Sequence, residues 1–186
     1  FVTVIFSIYK LIGNFDCFMT EEEVIIVDSQ DRFIKTMPKM EAHKKGILHR
    51  AFSVFIINSK EQILLQKRAL NKYHSPGLWT NTCCSHQRIN ESSVLAGSRR
   101  LYEEMGINAD LEEIFTFKYR APFDNGLIEH ELDHILIGYS DKQPIINTDE
   151  VSEWKWMDIN YIIQDLKINP EDYTIWFRLI FNKENT

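Results

Sequence analysis

Histidines and carboxylates occur at spacings that could build a site for a divalent metal ion. Glu129 and Glu131 lie two residues apart in a strand-like run, so both side chains share one face of the strand, roughly 6.5–7 Å apart along it. His43 and His49 flank a short basic loop, and His86 ends another strand-like segment. Imidazoles and carboxylates together suit Mn²⁺, Mg²⁺ or Zn²⁺. Spacing alone leaves the ordinary interpretation open, in which these residues bind nothing in common.

The other histidines and the cysteine pair have ordinary interpretations too. We expect no special role for His74, His130 and His134, because a lone histidine is most often a surface residue. Adjacent cysteines are most often small buried hydrophobes, and Cys83 fits that description. Neither a Gly-rich nucleotide loop nor a Gly-x-Ser-x-Gly nucleophile elbow occurs in the sequence, so those reaction classes are disfavoured.

A second pattern covers residues 85–107, whose spacing matches the Nudix box, Gly-x5-Glu-x7-Arg-Glu-U-x-Glu-Glu-x-Gly-U, where U is aliphatic. Ser85 replaces the first Gly, and Arg100 replaces the Glu of the Arg-Glu pair. On a helix, Arg100 and Glu104 share a face and could form a simple ion pair worth about 0.2–0.5 kcal/mol. The functional interpretation is that Glu104 holds a Mg²⁺ ion on a diphosphate that Arg100 contacts.

A mixed set of strands and helices must position these groups. Strand-like runs are predicted at 24–28, 50–57, 62–66, 113–120, 128–139 and 152–157, with a polar turn at 58–61 that indicates a hairpin. An amphipathic helix is predicted over 91–105, closed by Gly106, and the tail looks helical over 160–166 and 170–181. Interleaved strands and helices favour a mixed α/β sandwich.

Length and charge limit the partners. The chain has 186 residues with 21 Lys and Arg against 27 Asp and Glu, a net charge of -6, which disfavours nucleic acid and anionic membranes. Only small anions captured locally are expected. Cys17 and the adjacent Cys83 and Cys84 do not form a disulfide framework, so we expect a reducing, cytoplasmic location.

The first 18 residues are apolar but match neither a secretory signal nor a membrane-spanning helix. The chain opens on Phe, while Met19 precedes an acidic stretch and a strand-like run. We therefore interpret 1–18 as an extension and 19–186 as one domain.

Several separated motifs together closely resemble the type I isopentenyl-diphosphate isomerases, a branch built on the Nudix fold. The resemblance spans about 24–181 and rests on Ala42-His43, 49–53, Arg68, 79–86, the degenerate Nudix helix, 119–121 and 129–131. It implies a mixed β-sheet sandwiched between helices, with C-terminal helices. It also implies the reversible isomerisation of isopentenyl to dimethylallyl diphosphate in isoprenoid biosynthesis.

The resemblance implies three sets of site residues. One divalent ion, Mn²⁺, Mg²⁺ or Zn²⁺, is expected at His43, His49, His86, Glu129 and Glu131. Cys84 and Glu131 are the expected catalytic pair, assisted by Tyr119. Substrate contacts are expected from Lys39, Arg68, Lys72 and Arg100 at the diphosphate, from a Mg²⁺ ion on Glu104, and from Trp176 at the hydrocarbon end.

The reaction needs an acid and a base, because one proton is added to a double bond and another is removed from the neighbouring carbon. Glu131 could deliver a proton and a Cys84 thiolate could receive one, with the roles exchanged in reverse. Two alternatives stand beside this hypothesis: a Nudix pyrophosphohydrolase, which would need Glu in place of Arg100, and a binding module with structural zinc, which adjacent cysteines disfavour. The partner is a small diphosphate, and the chain is expected as a monomer or weak homodimer.

Overall fold

A computed structural model describes residues 22–182 of the chain. The predicted extension 1–18, the predicted start at Met19, and Cys17 lie outside the described residues. Within 22–182, nine strands form one mixed sheet, which confirms the predicted fold class. In that part of the chain, no helix is long and apolar enough to cross a membrane.

The strands are β1 (Glu23–Val27), β2 (Phe33–Pro38), β3 (His49–Ile57), β4 (Gln62–Arg68), β5 (Trp79–Thr80), β6 (Cys83–Ser85), β7 (Leu111–Pro122), β8 (Ile128–Tyr139) and β9 (Val151–Asp158). The helices are α1 (Lys39–Lys45), α2 (Ser93–Met105), α3 (Ile159–Ile168), a 3-10 turn (Pro170–Asp172) and α4 (Ile175–Phe181). Strand β8 has the predicted bounds, and α2 begins two residues later than predicted and ends at Gly106 in a left-handed conformation (φ 65°). The predicted helix over 170–181 is divided into the 3-10 turn and α4.

Strand β3 lies at the centre and is buried on both faces. Phe52, Val54 and Ile56 pack with the apolar side of α2 in one hydrophobic cluster. Phe55 packs with Ile162 of α3 and with Trp176 and Phe177 of α4 in a second cluster on the opposite face. The sheet is therefore sandwiched between helices, and we call the second side the α4 face.

The predicted hairpin of β3 and β4 is wrong beyond its turn, because the two strands share a single pair, Ile57 with Ile63. Strand β3 instead pairs in parallel with β8 over nine positions, from His49 opposite Glu131 to Ile57 opposite Tyr139. On its other side it pairs with β6. Long-range pairing thus replaces the local hairpin and brings β6 and β8 to the two sides of β3.

Two elements were missed by the sequence analysis, β2 and α1. Strand β2 is largely exposed, and α1 has seven residues and no side-chain N-cap, so neither leaves a strong periodic pattern. Helix α1 is anchored instead by the Lys39 N–H, which donates to the Glu22 carbonyl at 2.7 Å. Its end at Gly46, in the left-handed region (φ 60°), turns the chain into β3, so His43 and His49 lie close together.

Candidate active site

A cavity of about 1050 Å³ borders the α4 face and extends to Arg99 and Arg100 of α2. Its lining includes ten of the predicted site residues: Lys39, Arg68, Lys72, Cys84, His86, Arg100, Tyr119, Glu129, Glu131 and Trp176. The remaining three, His43, His49 and Glu104, are buried and do not line it. The fold thus gathers residues from widely separated segments around one space.

Strand register brings the central histidines and carboxylates together. Glu131 on β8 has His49 of β3 opposite it on one side and Tyr119 of β7 on the other. His86, just after β6, places Nε2 3.1 Å from Glu131 Oε1. Ligand atoms of His43, His49, His86 and Glu131 all lie within 4.8 Å of one another, so four of the five predicted ligands form one cluster.

The hydrogen bonds of two histidines leave a lone pair facing this cluster. The Nδ1 atom of His43 lies 2.7 Å from the Lys39 carbonyl, and that of His49 lies 2.8 Å from the Ile47 carbonyl. Because a carbonyl only accepts, Nδ1 carries the proton and Nε2 offers a lone pair. Both Nε2 atoms are buried and lack a hydrogen-bond partner. Such inward-facing acceptors beside carboxylates fit a divalent cation.

Glu129, the fifth predicted ligand, reaches the cluster through His43. Its Oε1 lies 3.2 Å from His43 Nε2 and 2.9 Å from His74 Nε2, and these three residues form a second group that could hold an ion. The interpretation of His74 as an ordinary surface histidine is wrong, because this side chain is buried and adjoins the predicted ligands. Its sequence position, far from the other ligands and in a loop, carried no spacing signal.

The carboxylates and imidazoles of the cluster shift one another's pKa values. Burial alone would raise the pKa of Glu131, but the neighbouring His49 and His86 outweigh it and hold this pKa well below 4.5. Burial and the charge of Glu131 oppose ionisation of Glu129, yet the neighbouring His43 and His74 still lower its pKa. Burial lowers the pKa of His86 to about 4. The metal-free cluster is thus anionic at its carboxylates and neutral at His86.

The two adjacent cysteines face opposite sides of the sheet. Cys83 belongs to the cluster under α2 and is fully buried, whereas Cys84 packs with the α4-face cluster and lines the cavity. Desolvation raises the pKa of Cys84 to about 12, against an opposing effect of the Arg68 charge. Cys84 therefore carries its proton at neutral pH.

Tyr119 of β7 and Asp133 of β8 are buried neighbours of Glu131. The Tyr119 hydroxyl donates to Glu131 Oε2 at 2.6 Å, and burial together with the Glu131 charge raises its pKa well above 10. Asp133 accepts from the Ser53 hydroxyl at 2.8 Å, and burial with the Glu131 charge raises its pKa well above 3.8. Sequence analysis missed Asp133, although it continues the two-residue spacing of Glu129 and Glu131.

Carboxylates partner the predicted diphosphate-binding cations. Lys39 Nζ lies 3.0 Å from Glu22 Oε2. Lys72 and Arg100 both pair with Glu150, which the sequence analysis did not identify, and Arg100 Nη2 lies 3.1 Å from Glu150 Oε1. These ion pairs hold cationic side chains at the cavity wall.

Glu104, the predicted Mg²⁺ ligand, sits behind Arg100. Arg100 Nη2 donates to Glu104 Oε1 at 2.7 Å, and Gln66 Nε2 donates to its Oε2 at 3.1 Å. With only 3% of its surface exposed, this carboxylate is screened from the cavity by the arginine.

Arg68 and Trp176 form the wall of the cavity near α4. Arg68 donates from Nε to the Ser75 carbonyl and from Nη2 to the His74 carbonyl, each at 3.1 Å. Its guanidinium lies 5.3 Å from the centre of the Trp176 ring, and the indole N–H donates to Asn81 Oδ1 at 3.2 Å. The aromatic wall is thus fixed at both its edge and its face.

Comparisons with known proteins extend these observations. The NUDIX domain model matches residues 47–179. Isopentenyl-diphosphate Delta-isomerase 2 of Aromatoleum aromaticum is 49% identical over 84% of this chain and 82% of its own length. Isopentenyl-diphosphate Delta-isomerase of Pectobacterium atrosepticum is 52% identical over 86% of this chain and 89% of its own.

Solved structures share the fold. DR0079 from Deinococcus radiodurans superposes with a TM-score of 0.71 at 16% identity, covering 86% of this chain and 96% of that one. The MutT protein of Methanosarcina mazei Go1 gives a TM-score of 0.59 at 19% identity, over 72% of this chain and 90% of its own. At such identities the likeness concerns the architecture of the sheet and helices.

Proposed function

The chain belongs to the NUDIX domain family and, within it, to the isopentenyl-diphosphate Delta-isomerases, and we propose on that premise that it interconverts isopentenyl diphosphate and dimethylallyl diphosphate. The observation that carries the proposal is the cavity on the α4 face, where Cys84 and the Tyr119-bonded Glu131 line one space. Strands β6 and β8, which carry these two side chains, lie on either side of β3. An acid and a base therefore face the same substrate.

We propose that Cys84 donates the proton and Glu131 accepts one, starting from the protonation states of the substrate-free protein. The raised pKa of Cys84, about 12, keeps the thiol protonated, and the pKa of Glu131, held well below 4.5, keeps that carboxylate ionised. This assignment reverses the prediction from the sequence, in which Glu131 delivers a proton and Cys84 receives one. In the reverse direction each group acts in the opposite sense, as microscopic reversibility requires, and positioned groups of this kind contribute about 10²- to 10⁴-fold each.

A divalent ion, Mn²⁺, Mg²⁺ or Zn²⁺, would be held by His43, His49, His86, Glu129 and Glu131. Such an ion supplies positive charge that favours the ionised form of its carboxylate ligands. The protein's own part is to fix the two Nε2 lone pairs and to hold Glu131 through Tyr119. These contacts fix the direction in which the carboxylate faces the cavity.

Lys39, Lys72, Arg100 and Arg68, which all line the cavity, would bind the diphosphate. The carboxylates Glu22 and Glu150 keep the first three of these side chains at the wall before substrate arrives. We propose that Mg²⁺ accompanies the diphosphate, because the protein's net charge of -6 opposes the capture of a highly charged anion. For Glu104 to hold this ion, Arg100 and Gln66, which donate to its two oxygens, would have to release the carboxylate.

The buried Trp176 would face the hydrocarbon end of the substrate. Protonation of the double bond generates a tertiary carbocation-like state, which an aromatic face stabilises by on the order of 2 kcal/mol when water is absent. The indole is held by Asn81, so it needs no reorganisation as the charge develops. Exclusion of water also protects the cation from capture as an alcohol.

We also propose that the protein works in the cytoplasm as a monomer or weak homodimer, and that residues 19–186 form one domain. Size-exclusion chromatography with light scattering at micromolar concentration tests the oligomeric state. A stable higher oligomer would contradict it.

Proton NMR in D₂O tests the function directly, with purified protein, Mg²⁺ and isopentenyl diphosphate. Isomerisation with deuterium uptake is expected, whereas release of phosphate would support a pyrophosphohydrolase instead. Cys84→Ala should nearly abolish turnover, since it removes the cavity-facing thiol. The matched control, Cys83→Ala, should keep most of the activity because Cys83 faces the α2 core. Equal losses in both variants would refute the assignment.

A further inference from the structure

His74 lies in the loop between β4 and β5 and touches the candidate metal centre from outside the predicted ligand set. Its side chain is 7% exposed, and its Nε2 lies 2.9 Å from Glu129 Oε1. Glu129 itself meets the four-residue cluster through His43. His74 therefore contacts Glu129, the predicted ligand that lies outside the four-residue cluster.

Packing fixes the direction of the His74 ring. It stacks on Phe123 at a centroid distance of 5.2 Å and an interplanar angle of 22°, and it meets Tyr73 edge-on at 4.4 Å. On the cavity side it lies perpendicular to the Trp176 ring, at a centroid distance of 5.7 Å. Arg68 holds the backbone by donating to the His74 carbonyl. An imidazole clamped on three sides presents Nε2 to Glu129 with little freedom.

The partner of Nδ1 distinguishes His74 from the ligand histidines. The carbonyls at Nδ1 of His43 and His49 require a proton there and leave Nε2 as a lone pair. Beside His74 Nδ1 lies the Ser75 hydroxyl, at 3.5 Å, and a hydroxyl can donate as well as accept. The Nε2 proton of His74 is therefore permitted, which makes it a donor to Glu129 Oε1.

Glu129 has one oxygen left for an ion. Its Oε1 faces His74 and His43, whereas its Oε2 is buried and has no hydrogen-bond partner. His74 shares a group of possible ligands with His43 and Glu129 but not with His49, His86 and Glu131, and the 2.9 Å between its Nε2 and Glu129 Oε1 is a hydrogen-bond distance. Its position fits a contact to a ligand better than a bond to the ion.

We propose that His74 is a positioning residue of the metal centre: it donates from Nε2 to Glu129 Oε1, orients this carboxylate and leaves Oε2 for the ion. The inference rests on the metal centre of the proposed function. Partners of ligating carboxylates typically change metal affinity by about 10- to 100-fold when removed. Because the same ring packs against Trp176, His74 also joins the metal centre to the substrate wall.

The test is Co²⁺ binding by the full chain, measured by chelator competition and by the visible spectrum of the ion. His74→Phe removes the donor while keeping a flat ring, and we expect a Kd about 10- to 100-fold higher with an unchanged spectrum at saturation. His74→Gln restores an amide donor and should recover most of the affinity. The matched control is His130→Gln, since His130 lies between the two glutamates on β8 but bonds to the Gly46 carbonyl.

Other outcomes would overturn the proposal. A changed Co²⁺ spectrum in both His74 variants would show that His74 is itself a ligand. An unaltered Kd in His74→Phe would show that His74 does not position Glu129. Near-ultraviolet circular dichroism of the metal-free variants verifies folding, and His74→Leu replaces the Phe variant if that protein is unfolded. Metal binding is measured without turnover, so an inactive protein that binds Co²⁺ would refute the proposed isomerase but not the role of His74.

Discussion

The thiol of Cys84 should react far more slowly with a disulfide reagent than an ordinary cysteine does. The perturbation is the transfer of this side chain from water into the cavity wall, where desolvation raises its pKa from 9.0 to about 12. Only the thiolate attacks a disulfide, so the protonation state that we assign to the catalytic acid is directly measurable.

The expected decrease in the rate of reaction of Cys84 follows from two opposing effects. At pH 8, a pKa near 12 instead of 9.0 reduces the thiolate fraction by about 1,000-fold. The intrinsic reactivity of a thiolate rises with its pKa, with a Brønsted coefficient of about 0.4–0.5, which returns roughly 15- to 30-fold. The net expectation is a rate roughly 30- to 60-fold below that of a free thiol.

The assay uses a Cys17→Ser, Cys83→Ala protein, in which Cys84 is the one remaining cysteine, and follows an aromatic disulfide reagent from pH 7 to 10. Steric protection alone would slow labelling by a constant factor at each pH. The raised pKa instead predicts a rate that still climbs about tenfold between pH 9 and 10, where a free thiol gains only about twofold. A profile that levels off near pH 9 would refute the protonated Cys84 and the proton-donor role built on it.

Gly97→Ala should destabilise the fold by roughly 1–3 kcal/mol in urea unfolding, because the new Cβ would lie 2.5 Å from Leu136 Cδ1; increased stability would contradict this packing. Burial lowers the pKa of His86 to about 4 from 6.5, so between these values the unfolded chain takes up a proton that the native, metal-free protein does not. Its free energy of unfolding should fall with pH below 6.5, by up to about 3 kcal/mol, and His86→Gln should flatten the slope. Tyr119→Phe removes the 2.6 Å bond to Glu131 and should lower kcat about 10- to 100-fold without loss of fold; an unchanged kcat would dismiss this role.

Strong local patterns made much of the fold predictable. Strand β8 and helix α2 follow from unbroken periodicity and from Gly106, which ends the helix in a left-handed conformation that favours glycine. The exposed β2 and the seven-residue α1 lack such patterns, and contacts with the rest of the protein stabilise them. His43, placed from the resemblance, therefore lies on an element that the residues themselves did not indicate.

The hairpin signal shows where local information fails. A polar turn at 58–61 does connect β3 to β4, but the strands share one pair, because Thr82 and β6 lie between them. The Thr82 hydroxyl accepts from the Ile56 N–H and donates to the Leu64 carbonyl, and β6 pairs with β3 over 52–54. Which strands pair with β3 depends on the burial of both its faces. Its parallel partner β8 lies some eighty positions further along the chain. A short segment of sequence therefore does not contain the information that selects these partners.

By itself, the sequence determined the residue types, the degenerate Nudix helix and the Cys84, His86 and Glu129-x-Glu131 motifs, since these are properties of neighbouring residues. The packing of distant segments places His49 opposite Glu131, brings His74 Nε2 within 2.9 Å of Glu129, and pairs Glu150 with Lys72 and Arg100. It also decided which groups carry protons, because desolvation and charge pairing depend on burial in three dimensions. Cys83 and Cys84 illustrate the division: they are adjacent in the chain, but the alternation of β6 places one in the core and the other in the cavity.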